Sequence, residues 1–314
     1  MKYGVAALHI QNLFSQILQE PGAHSELYGT GIQHAGSGKF TAREIYIGPT
    51  SDNELERELL RDLRISDPRD DKQRIERTKG GLVLDSFRWV LYHDDFRRWQ
   101  DDGQSRMLWV KGDPDKGKTI LLCGIITELE KRPVDTVLSY FLCQATDVRL
   151  NNATAVLRGL VYLLLDQQPS LIKRLRKKYD HVEDVNSWDV LSRTLLFILQ
   201  DLGSQTTYLV IDALDECETG LSQLLYLIIQ ASSTTQAKWL LSSCNRRDIE
   251  QVIRPRESQT RLSLELKENA ELVSRAVNTY ISQCISQLAV LEGDVLLKDQ
   301  IRSKIQQKAD GTFL

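Results

Sequence analysis

One short segment constrains the fold of this chain more than any other. Residues 108–122 consist of an apolar stretch, a loop bounded by glycines, a Gly-Lys-Thr triplet and a second apolar stretch. Gly112 to Thr119 fit the pattern G-x-x-x-x-G-K-[ST] at every position. In such a loop, successive backbone N–H groups surround a phosphate, and a helix begins near the lysine. The segment therefore predicts a strand, a phosphate-binding loop and a helix, in that order.

The pattern also assigns candidate roles within the loop. Lys118 is expected to reach the β- and γ-phosphates of a nucleotide, and the Thr119 hydroxyl is expected to bind Mg²⁺. The residues expected to contact the nucleotide are Gly112, Asp113, Pro114, Asp115, Lys116, Gly117, Lys118, Thr119 and Ile120. The alternative is an ordinary glycine turn that joins a strand to a helix and binds nothing.

A second segment supplies the other half of such a site. Residues 208–211 form a continuous apolar run, which is typical of a central parallel strand covered on both faces, and Asp212 follows directly. Asp212 is expected to hold Mg²⁺, usually through water. Asp215 and Glu216 are candidates to polarise an attacking water, and Glu216 is preferred because hydrolysis needs a base beyond the metal ligand. The alternative is a pair of surface acids on a turn after a core strand.

Composition narrows the class of protein. Of 314 residues, 41% are hydrophobic and 26% are charged, which is ordinary for a globular domain, and no apolar run approaches the length of a membrane span. The net charge of −3 provides no basic field for nucleic acid. Five cysteines without paired spacing favour free thiols in a reducing cytosol over a disulfide framework or a zinc site. We therefore expect a cytoplasmic protein with neither a membrane segment nor a nucleic-acid partner.

From residue 105 onward the pattern alternates between strands and helices, which predicts an α/β fold with three αβα layers and a mainly parallel sheet. The predicted strands are 108–111, 136–141, 208–211, 238–243 and 262–266. The predicted helices are 118–131, 153–167, 188–202, 221–231, 270–291 and 299–309. A small helical region is thus expected after the sheet.

Four regions follow from these patterns. Residues 1–50 are glycine-spaced in their second half, which indicates a disordered leader or a self-pairing effector-like segment. Residues 51–104 are expected to be a helical linker, residues 105–255 the phosphate-loop core, and residues 256–314 an incomplete helical region.

Three further features of the sequence have a structural and a functional interpretation. Residues 51–78 are dense in charge, which predicts a solvated linker helix interrupted at Asp67-Pro68. The basic run Lys173–Lys178 is interpreted as a solvated helix face rather than a nucleic-acid contact. The aromatic residues of the linker are expected to anchor it to the next domain rather than to stack on bases: Phe87, Trp89, Phe96 and Trp99.

Together the two halves resemble the NACHT NTPase module, and in particular fungal NACHT proteins related to vegetative-incompatibility factors. Residues 112–119 and 208–217 carry the resemblance, which covers roughly residues 70–314. Supporting stretches are 78–82, 86–89, 141–146, 155–160, 238–243 and 278–281. The resemblance implies a STAND-class switch that rests with a nucleoside diphosphate, self-associates or engages signalling proteins after exchange to triphosphate, and resets by hydrolysis. Its implied output is non-self recognition and regulated cell death.

The sequence departs from this family at three points. Asp115 stands where the family has glycine, so it would repel phosphates and resist a positive φ. Cys244 stands where the family has an arginine that senses the γ-phosphate, and Arg246 or Arg247 is the candidate substitute. The sequence given stops at Leu314, inside the helical region of the family and before its winged helix.

Three hypotheses remain open at this level. The first is a switch that binds ATP or GTP with Mg²⁺ and hydrolyses it slowly. The second is a truncated adaptor or decoy that acts by protein–protein interaction through residues 1–50. The third, which fits Asp212–Glu216 less well, is a small-molecule kinase with candidate lid arginines at Arg246, Arg247, Arg254 and Arg256.

Overall fold

The computed structural model describes residues 52–178, 186–253, 261–287, 295–309 and 312. The unit that begins at Glu56 contains the sheet and both candidate motifs. The predicted leader, residues 1–50, lies outside the described residues, so the interpretations of that segment stay predictions. Among the described helices, none is long and apolar enough to cross a membrane.

Five parallel strands form one sheet in the order β2-β3-β4-β1-β5. The strands are β1 (Met107–Lys111), β2 (Val137–Leu142), β3 (Thr207–Asp212), β4 (Lys238–Ser243) and β5 (Arg261–Glu265). Every residue of β2, β3 and β4 is buried, so helices must cover both faces of the sheet. The predicted three-layer αβα fold is therefore confirmed, and the loop after β1 and the acid after β3 lie on either side of β4.

Twelve helices are present in the described part of the chain. They are α1 (Asp52–Leu63), α2 (Pro68–Thr78), α3 (Leu84–Leu91), α4 (Asp94–Asp101), α5 (Lys118–Leu129), α6 (Ala153–Gln167), α7 (Ser170–Lys178), α8 (Trp188–Leu202), α9 (Leu221–Thr234), α10 (Arg247–Ile253), α11 (Ala270–Ser286) and α12 (Val295–Ala309). Helices α6 and α8 have the predicted bounds. Helix α10 was not predicted, and α11 ends at Ser286 rather than at residue 291.

The prediction of a solvated linker helix is wrong for α2. Asp71 and Lys72 are 8% and 6% exposed. The Lys72 Nζ donates to the Thr127 hydroxyl on α5 at 2.8 Å, and Arg69 forms an ion pair with Asp166 on α6. The high charge density of the segment indicated solvent, but these charges have partners on α5 and α6, so α2 packs onto the core.

The linker aromatics pack as predicted. Phe87, Phe96 and Trp99 are at most 2% exposed and belong to the main hydrophobic core. The Phe87 ring lies against Gly124 of α5, where a Cβ atom would approach the ring to 2.3 Å. The expected solvated face of α7 is also present, since the Lys173 side chain is 59% exposed.

Candidate functional site

The loop between β1 and α5 has the backbone conformation that its glycines predict. Gly117 has φ 77° and Asp115 has φ 61°, so two loop residues are left-handed. A Cβ atom on Gly112 would lie 2.9 Å from the Leu266 Cβ, so the first glycine is needed for space. The loop thus takes the tight path that a phosphate-binding loop requires.

Lys118 lies at the centre of this loop. Its side chain is largely buried, and its Nζ donates hydrogen bonds to the carbonyl oxygens of Gly112 and Asp113, each at 2.8 Å. The Cys244 Sγ, at the end of β4, lies 3.4 Å from the same nitrogen. The ammonium group is therefore held inside the loop by neutral acceptors.

Asp212, at the end of β3, is 1% exposed. Burial raises its pKa to about 6, while side-chain hydrogen bonds with Ser242 and Thr119 lower it. The Ser242 Oγ donates to the Asp212 Oδ1 and itself accepts from the Ala213 N–H at 2.9 Å. The structure thus brings the β3 acid into contact with Thr119, the last residue of the phosphate loop, and with Ser242 on β4.

The loop and the acid face a common cavity of about 420 Å³. It is lined by Ile75, Lys79, Pro114, Asp115, Gly117, Lys118, Thr119, Ile120, Cys143, Gln144, Asp212, Ala213, Asp215, Glu216, Ser242 and Cys244. Two loop residues with predicted nucleotide contacts, Asp113 and Lys116, instead line a second cavity of about 350 Å³ between the loop and α11.

The two predicted catalytic acids lie on a short 3₁₀ turn, Leu214–Glu216. The Asp215 Oδ1 accepts from the Cys244 N–H, and the Glu216 Oε2 accepts from the Ala145 N–H, both at 2.8 Å. Both side chains are half-buried and line the main cavity.

The side chain of Arg246, the predicted sensor, is held by partners outside the main cavity. Its guanidinium forms an ion pair with Asp248 at 2.5 Å, and its Nη1 donates to the Asp215 carbonyl oxygen at 2.9 Å. The residue does not line the cavity, whereas Cys244 does. Burial raises the pKa of Cys244, so its thiol is neutral near pH 7.

Sequence reasoning missed several residues of the cavity wall: Ile75, Lys79, Cys143, Gln144 and Ser242. Ser242 carried a weak signal, since it is a hydroxyl near the end of an otherwise apolar strand. Lys79 and Gln144 lie in the stretches 78–82 and 141–146, which support the resemblance, but neither was assigned a role because both lie outside the two motifs. In the described residues, no cluster of three or more His, Cys, Asp or Glu could hold a metal alone.

A phosphate-binding loop after β1 and a buried acid across β4 define a P-loop NTPase fold. The family model "Nephrocystin 3, N-terminal" matches residues 85–244, and the chain belongs to this family. Vegetative incompatibility protein HET-E-1 of Podospora anserina is 52% identical over 262 residues, which cover 81% of this chain and 19% of that protein. The match supports a fungal NACHT-type protein, and the chain spans about a fifth of this relative's length.

Solved structures are more distant. Domain III of the Thermotoga maritima replication initiation protein DnaA is 11% identical, with 72% of this chain and 78% of that chain covered and a TM-score of 0.35. The Aeropyrum pernix ORC1 protein in complex with DNA is 14% identical, with 72% and 59% covered and a TM-score of 0.38. At these TM-scores the likeness adds nothing to the family assignment.

Proposed function

We propose that this chain is the nucleotide-binding module of a cytoplasmic signalling switch, which binds ATP or GTP with Mg²⁺ and thereby controls its self-association or its contact with other signalling proteins. The observation that carries the proposal is the convergence of Lys118, Thr119 and Asp212 on one cavity. The similarity to a vegetative incompatibility protein supports a role for this switch in fungal non-self recognition.

Phosphate binding would change the partners of Lys118. Its Nζ now bonds to two neutral carbonyl oxygens. A phosphate oxygen is a stronger acceptor because the hydrogen bond is charge-assisted. The N-terminus of α5, which begins at this lysine, adds backbone N–H groups and a positive dipole end. The loop can therefore make stronger hydrogen bonds to a phosphate group than Lys118 now makes to the carbonyl oxygens of the loop itself.

The residues present fit Mg²⁺. The ion prefers oxygen ligands and keeps several waters, so one hydroxyl, one carboxylate and phosphate oxygens are enough. Thr119 and Asp212 would supply the protein oxygens. With a pKa of about 6, Asp212 is ionised at neutral pH although it is buried, and a nearby cation would stabilise that charge. Bound Mg²⁺ would neutralise charge on the phosphates.

Hydrolysis is expected to be slow. Glu216 is the preferred base and Asp215 the alternative, but one oxygen of each carboxylate is already occupied by a backbone hydrogen bond. Among the described residues that line the cavity, none is an arginine. A hydrolysis-deficient adaptor that acts through protein–protein contacts is therefore the second candidate.

A nucleotide titration tests the proposal. The purified chain is titrated with ATP, GTP and their diphosphates, with Mg²⁺ and with EDTA, and phosphate release is followed in the same samples. Lys118→Ala should weaken triphosphate binding by about 10- to 100-fold, the value of a hydrogen bond to a charged group. Lys131→Ala, an exposed lysine just after α5, is the matched control and should bind normally. Equal binding by Lys118→Ala and wild type would overturn the proposal.

A further inference from the structure

Ser242 holds a position that neither motif describes. It lies on β4, is fully buried and lines the main cavity. Its Oγ donates to the Asp212 Oδ1 and accepts from the Ala213 N–H. One hydroxyl group therefore connects the end of β3 to the side chain of the buried acid.

The direction of this hydroxyl is fixed by its partners. A serine hydroxyl has one hydrogen to donate. Because the Ala213 N–H occupies a lone pair on the Oγ, the oxygen is oriented with its hydrogen toward Asp212. Ala213 reaches this arrangement with φ 53°, a left-handed conformation that is strained for a non-glycine residue. That strain at the end of β3 is offset in part by the bond to Ser242.

The consequence is an acid with restricted rotation. With its Oδ1 bonded to Ser242, the Asp212 carboxylate keeps its plane, and it also has a side-chain hydrogen bond with Thr119. Groups that hydrogen-bond to metal ligands fix their orientation, and their removal typically lowers metal affinity by about 10–100-fold. We infer that Ser242 is a positioning residue that orients Asp212 for the Mg²⁺ bound with the nucleotide; this rests on the proposed function.

The neighbouring Ser243 provides a control that distinguishes this positioning role from a purely structural one. Ser243 is also fully buried on β4, but its Oγ accepts from the Trp109 Nε1 at 3.0 Å and donates to the Cys244 carbonyl oxygen at 2.9 Å. It makes no contact with Asp212. Ser243→Ala thus removes an equally buried hydroxyl from the same strand and leaves the acid untouched.

The test compares the Mg²⁺ enhancement of triphosphate affinity, which is the ratio of the Kd in EDTA to the Kd with Mg²⁺. For Ser242→Ala this ratio should fall by about 10–100-fold, while the Kd in EDTA stays close to that of wild type. Ser243→Ala should keep the wild-type ratio although its thermal midpoint falls. Ser242→Cys keeps the side-chain volume with a weaker donor, should lose part of the enhancement, and decides the question if Ser242→Ala does not fold.

Each outcome has a distinct meaning. A wild-type ratio in Ser242→Ala or Ser242→Cys would overturn this inference and leave the proposed function intact. An equal loss in Ser243→Ala would also overturn it, since the effect would then be a general loosening of β4. Failure of wild-type protein to bind nucleotide at all would refute the proposed function and, with it, this role of Ser242.

Discussion

The sulfur of Cys244 lies 3.4 Å from the ammonium nitrogen of Lys118. Because burial raises the pKa of the Cys244 thiol, this side chain is neutral and adds no second positive charge beside Lys118. Four carboxylates line the cavity, namely Asp115, Asp212, Asp215 and Glu216, against two described lysines, Lys79 and Lys118. The described residues of the cavity therefore provide little positive charge to stabilise a leaving phosphate.

Cys244→Arg should raise the rate of triphosphate hydrolysis. The new guanidinium would start beside Lys118 and could reach a γ-phosphate, which is the charge that Arg246 cannot supply while it pairs with Asp248. We expect an increase of about tenfold or more, a small part of the roughly 10³–10⁵ that a well-placed arginine provides. Single-turnover phosphate release measures this rate.

A neutral side chain of similar size controls for volume. Cys244→Gln fills the same space without charge and should leave the hydrolysis rate near that of wild type. If the glutamine and arginine variants were equally fast, the missing cation would not explain slow turnover. The unfolding midpoint of nucleotide-free Cys244→Arg should fall, because two cations then share a half-buried site.

Asp115 affects binding through its charge more than through its backbone. Asp115→Asn and Asp115→Gly should both tighten triphosphate binding by about fivefold, or about 1 kcal/mol, the solvent-exposed limit for two charges about 4 Å apart. Glycine also relieves the φ of 61°, but it loses a similar amount through the greater freedom of the unfolded chain. The unfolding free energies of wild type and Asp115→Gly should thus differ by less than about 0.5 kcal/mol. A gain confined to the glycine variant would instead assign the effect to backbone strain.

The motifs predicted much of the fold because they are local. The strand before Gly112, the helix after Lys118 and the buried strand before Asp212 can each be identified from a few consecutive residues. The burial of helix α2 could not be predicted, because the partners of Lys72 and Arg69 lie on α5 and α6, far along the chain. The bond between Ser242 and Asp212 depends on strand order in the same way, since β3 and β4 become neighbours only when the sheet forms.

Lys238 gives the domain a pH-dependent stability. It lies at the start of β4. Its Nζ donates to the carbonyl oxygen of Trp99, in the last turn of α4, and to those of Asp102 and Ser105, which follow the helix. Burial lowers its pKa from 10.5 to about 8. Between these values the unfolded chain binds more protons than the folded one, so this residue makes the unfolding free energy rise with pH in that window.

The contribution is measured as a difference from Lys238→Met. From about pH 7.5 to about pH 10, wild type should gain about 1–2 kcal/mol relative to the variant, less than the full shift because solvent partly screens the group. At the lower pH the variant should still be less stable, since three carbonyl oxygens lose a donor. Urea unfolding at both pH values gives this difference. A constant difference would contradict the lowered pKa of Lys238.

Gly124 fixes the contact between the phosphate-loop helix and the linker. A Cβ atom there would lie 2.3 Å from the Phe87 ring, which is itself 1% exposed. Alanine favours a helix over glycine by about 1 kcal/mol, but overpacking a buried site costs about 1–3 kcal/mol. Because the Phe87 ring is buried in the core, overpacking should outweigh the gain in helix propensity, and Gly124→Ala should lower the unfolding free energy by about 1–2 kcal/mol.

Two further variants isolate the cause of that loss. Gly103→Ala adds a Cβ atom where nothing lies within 4 Å, so it should leave the unfolding free energy within about 0.5 kcal/mol of wild type. Phe87→Leu makes space beside Gly124, and combining it with Gly124→Ala should cost less than the sum of the single changes. Additive losses in the double variant would show that Gly124 is required for a reason other than contact with Phe87. A non-additive result would show that the two positions act through their mutual contact.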